Sequence, residues 1–196
     1  MNNLTDENLY SQGLEHYKKK QFEISLNFLN KIKNKNLNTL KLISKIYIKK
    51  IDIKNAKVTL NKILILDNEN LFALNQLGDL NRIEKNYLNA EKFYLKSINY
   101  NKNFALGYFN LASLNEERGN LELAKKYYLK VIEIDDKNYA AYFNLQRIED
   151  NLVTDNTIEK IEQNLKTNQD LNDKNIAYGH FVLAKNYRKK KIFIWK

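Results

Sequence analysis

The chain has 196 residues, enough for one domain or one short repeat array. It has no cysteine, which excludes a disulfide framework and a thiolate metal site and makes a reducing cytoplasm the expected compartment. The formal charge is +10, but of 33 basic residues only Arg82, Arg118, Arg147 and Arg188 are arginine, whereas phosphate and base recognition favours the flat, bidentate guanidinium. Nucleic acid is therefore not the expected partner, and the lysine- and asparagine-rich composition reads as codon drift. The charge is uneven. Residues 1–66 carry 13 bases against 5 acids, 67–150 carry 11 against 13, and 151–196 carry 9 against 5. A basic N-terminal third suits an acidic partner. The opening Met-Asn-Asn-Leu-Thr-Asp-Glu lacks the basic and apolar regions of a signal peptide, and no stretch reaches the ~18 apolar residues of a membrane span, so no membrane insertion is expected.

In chain order, the first unit (6–36) places Leu9, Gly13, Tyr17, Phe22, Ser25 and Leu29 at helical spacing. The second (37–70) places Leu40, Ile43, Ser44, Tyr47, Ala56 and Leu60 in the same roles, 31 residues on from Ser25 to Ala56, with an unusually apolar turn at Ile51-Asp52-Ile53. From there the period is 34. Leu74, Tyr108 and Tyr142 recur in phase, as do Leu77, Leu111 and Leu145, then Ala56, Ala90 and Ala124. Each unit (71–104, 105–138) reads as helix, tight turn, helix, with Lys-Asn-Tyr at 85–87 or Gly-Asn-Leu at 119–121 as the break, Gly119 or an asparagine taking positive φ. Residues 139–167 read as a fifth, divergent hairpin with a weaker second helix carrying Ile158, Ile161 and Leu165. Residues 170–196 read as an incomplete one: a helix over 177–190, then a second starting near Ile192. An uncovered apolar face there suits self-association.

These residues resemble the tetratricopeptide repeat. With residue 105 as the first position, its pattern is met by Tyr108, Leu111, Ala112, Ala124 and Tyr128; from residue 71, by Leu74, Leu77, Gly78, Ala90 and Tyr94. Small residues at the eighth and twentieth positions let the two helices cross closely. The departures are Asn81 and Asn115 where an aromatic is usual, and Asn68, Lys102 and Asp136 where proline is frequent. The resemblance implies an all-α fold, a right-handed α-solenoid of antiparallel helix hairpins, acting as a protein-binding scaffold. Residues 142–187 are also similar in helix pattern and order to the junction region of bacterial tetratricopeptide-repeat sulfotransferases. That likeness implies a substrate-recruiting part of a truncated or split enzyme, without the catalytic half: Gly13, Gly78, Gly107, Gly119 and Gly179 are scattered and form no phosphosulfate-binding loop.

No catalytic, cofactor or metal site is expected. His16 and His180 lie far apart in sequence, and metal sites need several convergent donors. Glu116-Glu117 and Asp135-Asp136 point apart on a helix and read as solvated faces and caps. Most of the thirteen tyrosines read as packing residues. One polar series stands out: Gln76, Asn110 and Asn144 recur at 34, with Asp79, Ser113 and Arg147 one turn further. The resemblance puts the first helix of each hairpin on a concave groove, where a carboxamide row offers a donor and an acceptor to each peptide unit of an extended ligand. The lysine–asparagine–arginine pattern that clamps a C-terminal carboxylate is not met in any three successive repeats. The expected function is therefore a non-enzymatic scaffold binding an extended peptide or protein. The sulfotransferase-linked role and RNA binding through the basic N-terminal third are the alternatives.

Overall fold

The computed structural model describes residues 5–167 and 171–194, with side chains through Lys189, and every regular element in these stretches is helical. The helices fall into two compact units, Met1–Tyr100 and Asn101–Lys196. The first unit holds α1 (Asp6–Lys18), α2 (Phe22–Lys31), α3 (Leu37–Lys49), α4 (Ile53–Leu66), α5 (Leu71–Ile83) and α6 (Tyr87–Tyr100). The second holds α7 (Ala105–Glu117), α8 (Leu121–Ile134), α9 (Tyr139–Ile148), a 3-10 turn (Asp150–Leu152), α10 (Asp155–Thr167) and α11 (Asp173–Ile194). The all-α hairpin architecture expected from the sequence is the one found.

Helix starts are set by side-chain caps that follow the repeat. Asn36, Asn70 and Asn138 accept the backbone N–H of Thr39, Ala73 and Ala141, and Asn172 accepts that of Asn175. Such a cap contributes ~1 kcal/mol. Phe104 takes the corresponding place before α7 and has no side-chain cap. One residue before the positions where proline is frequent, Asp67 and Asp135 turn the chain by accepting the N–H of Glu69 and Lys137.

Within each of the first four hairpins the chain reverses through one left-handed residue: Lys20 (φ 59°), Ile51 (φ 60°), Lys85 (φ 59°) and Gly119 (φ 77°). The residue after it donates its N–H five residues back, as Asp52 does to Tyr47, Asn86 to Asn81 and Asn120 to Asn115. This is the six-residue C-cap that closes a helix end. Lys85, not the neighbouring Asn86, takes the positive φ, because the hydrogen-bond ring fixes which residue it must be.

Close crossings explain the small residues. A Cβ on Gly78 would lie 2.3 Å from Cε1 of Tyr94, and one on Gly13 would lie 2.6 Å from Cδ2 of Leu29. Ala56, Ala90 and Ala124 are fully buried on the facing helices, and Ser25 donates its hydroxyl to the Gly13 carbonyl at 2.6 Å. In the first unit, Leu29, Ile43 and Ile46 fill the space among α1–α3, and Ala56, Leu60, Ile63 and Leu77 that among α3–α5. Each such leucine or isoleucine stabilises the fold by ~1.5–3 kcal/mol. Asn81 and Asn115 fold back and donate to the carbonyls of Leu77 (2.7 Å) and Leu111 (2.8 Å), which is how an amide is accommodated where an aromatic is usual.

The end of the second unit differs from the sequence reading. Gln146 stands 34 residues after Ala112, at a position where a small residue permits a close crossing, and it is buried there. α9 does not cross α10 closely as the other hairpins do; it lies beside α11. Asn175 accepts the N–H of Tyr139, and Lys185 donates to the carbonyl of Gln146, so these two helices run in the same direction. Tyr139, Ile158, Ile161 and Val182 form the shared core, with Gly179 against Tyr139 and Leu165. α11 also runs unbroken through Ile194 rather than ending before a second helix near Ile192. Residues 187–194 contain no glycine, proline or asparagine, and lysine is a good helix former. The side chains of 190–194, and residues 195 and 196, lie outside the described residues, as does the apolar end expected to self-associate.

Candidate functional site

The six residues singled out in sequence are distributed over both units. In the first, Gln76 and Asp79 lie on α5 and are half-buried. Gln76 donates Nε2 to Asp79 Oδ2 at 3.2 Å, and the hydroxyl of Tyr94 on α6 donates to Asp79 Oδ1 at 2.7 Å. Burial pushes the Asp79 carboxyl above its ordinary value, against the opposing effects of the Tyr94 hydrogen bond and the Arg82 charge.

In the second unit the groups are linked. Ser113 Oγ lies 3.2 Å from the hydroxyl of Tyr128, which itself donates to Glu116 Oε2 at 2.9 Å. A phenol has one proton, so Ser113 is the donor to Tyr128. Glu116 Oε1 meets Nη2 of Arg147 at 3.2 Å, and Arg147 Nη1 donates to Asn144 Oδ1 at 3.4 Å. The chain therefore runs Ser113, Tyr128, Glu116, Arg147, Asn144, across α7, α8 and α9. Burial drives the Tyr128 hydroxyl well above its ordinary pKa, so it stays a neutral donor. Asn144 is half-buried, Asn110 only 8% exposed, and the Arg147 side chain 55% exposed.

Three participants were missed in sequence. In the sequence Tyr94 and Tyr128 read as packing residues, and Glu116 as part of a solvated face. The first two carried a legible signal, since Asp79 and Ser113 each precede their tyrosine by 15 residues. Glu116 is held by Arg147 from a different helix, a pairing with no local sequence signature. Among the described residues, no group of three or more His, Cys, Asp or Glu is placed to hold a metal, and no helix is long and apolar enough to cross a membrane.

The tetratricopeptide-repeat family matches residues 73–104 and 105–138. Those residues are tetratricopeptide repeats. No curated protein matches the chain. Solved structures with the same fold include MamA, 20% identical with a TM-score of 0.65 over 91% of this chain and 96% of that one. YrrB, described as a tetratricopeptide-repeat protein with an unusual peptide-binding site, is 16% identical with a TM-score of 0.61 over 70% of this chain and 72% of that one. The first repeat domain of Spaghetti (RPAP3), bound to the HSP90 peptide SRMEEVD, is 22% identical with a TM-score of 0.54 over 60% of this chain and 94% of that one. At these identities the likeness is one of fold. None of it supports the likeness to sulfotransferases read from residues 142–187.

Proposed function

We propose that this protein is a non-enzymatic scaffold whose tetratricopeptide repeats bind an extended segment of another protein. The observation that carries this reading is the braced polar row of the second unit. Tyr128 donates to Glu116, Glu116 pairs with Arg147 and Arg147 donates to Asn144, while more than half of the Arg147 side chain faces solvent. A donor fixed before the ligand arrives avoids the ordering cost that weakens flexible contacts. A guanidinium suits backbone carbonyls or a carboxylate. Asn110 extends the row by sequence phase, and the peptide-binding site of YrrB and the peptide bound by Spaghetti (RPAP3), both fold relatives, accord with the reading. We place the scaffold in the cytoplasm on its cysteine-free composition; the sulfotransferase-linked alternative rests on the residue pattern of 142–187 alone.

Selection from a displayed random-peptide library, followed by titration of the best binder, tests the proposal. Asn144→Ala and Arg147→Ala are expected to weaken binding about tenfold each, the ~1.4 kcal/mol scale of a lost charge-assisted hydrogen bond, with helicity unchanged. Asn110→Ala is expected to weaken it too, with some loss of stability because the residue is buried. A selected peptide that binds both Asn144→Ala and Arg147→Ala as tightly as wild type would remove this row from the site.

A further inference from the structure

Residues 24–51 contain seven lysines and no acidic residue. Four of the seven are accounted for or lie off the helix faces. Lys50 pairs with Glu23, Lys35 donates to the carbonyls of Asn30 and Ile32, Lys31 lies over the Phe28 ring, and Lys33 is in the loop before α3. The other three, Lys41, Lys45 and Lys49, fall four residues apart on α3 and so form one stripe along that helix. Among the described residues none of the three makes an ion pair. Lys45 and Lys49 are exposed, Lys41 half-buried, and the Lys45 ammonium sits 5.5 Å from the centre of the Phe72 ring at the start of α5. That contact places Lys45 beside the start of α5.

Like charges at four-residue spacing on a helix repel, and no ion pair among the described residues of the first unit neutralises any of the three. The spacing also fits a particular ligand. Four helical residues rise about 6 Å, and alternate residues of an extended chain are about 6.5–7 Å apart. An extended peptide lying along α3 with acidic residues at alternate positions would bring one carboxylate to each ammonium. The stripe contains only lysine, and the first arginine of the chain is Arg82, which favours point-charge pairing with carboxylates over the bidentate, planar recognition of phosphates and bases.

We infer that the Lys41–Lys45–Lys49 stripe of α3 is a docking strip for an acidic, extended protein segment. The inference rests on the scaffold reading above and names the partner's chemistry. It does not involve Asn144 or Arg147.

The test is fluorescence anisotropy of the full chain with three labelled probes of equal length: an alternating Glu-Ala peptide, an alternating Lys-Ala peptide and an oligouridylate. The Glu-Ala peptide is expected to bind, and Lys41→Gln/Lys45→Gln/Lys49→Gln to weaken it at least tenfold. The triple arginine replacement should retain binding. A control with the same change in charge, Lys33→Gln/Lys54→Gln/Lys62→Gln, should stay within twofold of wild type, and circular dichroism at 222 nm should match for all variants. Equal loss in the control reduces the effect to net charge and overturns the inference. Oligouridylate binding as tight as the acidic peptide, lost with the same three lysines, overturns it in favour of nucleic acid. Failure of the acidic peptide to bind overturns it as well. Where library-selected peptides still bind through Asn144 and Arg147 in that case, the scaffold reading survives alone.

Discussion

Asp79 and Ser113 occupy the same place in successive repeats, and each receives or gives a hydrogen bond at the hydroxyl of a buried tyrosine fifteen residues on. The two solutions differ in charge, with consequences for stability. Asp79 is a carboxylate whose folded pKa is raised, chiefly by burial. Between its ordinary value of 3.8 and the raised one, the native state holds more proton than the unfolded chain, so this group makes stability fall as pH rises through that window. Asp79→Asn removes the titration and keeps an oxygen for Tyr94. Urea midpoints measured from pH 4 to pH 7 should therefore show a shallower decline with rising pH in Asp79→Asn than in wild type. Parallel curves would mean that Asp79 titrates alike in both states. Ser113 supplies a neutral hydroxyl instead, and the corresponding Ser113→Ala variant should leave the pH profile unchanged.

Among the elements, the turns carry the clearest strain. Ile51 holds φ at 60°, a conformation that a β-branched residue resists, and its side chain gains little in return because the residue is 80% exposed. The equivalent turn in the fourth hairpin has Gly119. Ile51→Gly should raise stability by about 1 kcal/mol, a gain of about 2–4 °C in melting temperature for a chain of this size, read by thermal circular dichroism. An unchanged or lower melting temperature would show that the turn relaxes around isoleucine. The same turns mark the limit of what the sequence discloses. The helices themselves were legible because large and small apolar residues recur at fixed phase, as Leu77 and Gly78 do with Leu111 and Ala112. The residue that must adopt positive φ is selected by the hydrogen-bond ring of the helix end, which admits Lys85 as readily as Gly119. The coupling of Glu116 to Arg147 was hidden for a related reason: it depends on how α7 meets α9, not on spacing within either. Gln146, by contrast, is legible as a large residue at a small-residue position, and there α9 lies against α11 instead of crossing α10.

For the molecule as a whole, charge is the property that composition sets and packing leaves largely unbalanced. The first unit carries 17 basic against 10 acidic residues and the second 16 against 13, so both are net positive. The ion pairs among the described residues are mostly at the surface, with Lys19–Glu15 and Lys130–Glu133 within single helices. Such pairs contribute ~0–1 kcal/mol each and weaken with salt. Repulsion among unpaired lysines is longer in range and weakens as well: the screening length falls from about 30 Å at ~10 mM ionic strength to about 8 Å at ~150 mM. The two effects oppose each other. With seven lysines and no acid across residues 24–51, the repulsive one should dominate. Raising sodium chloride from ~10 to ~150 mM is therefore expected to increase the melting temperature by about 2–4 °C, corresponding to ~1 kcal/mol. Lys41→Gln/Lys45→Gln/Lys49→Gln should start higher at low salt and gain less on salt addition, since it removes three like charges at four-residue spacing on one helix. A melting temperature that falls with salt would assign the balance to the surface pairs. Equal salt gains in wild type and variant would place the repulsion outside α3.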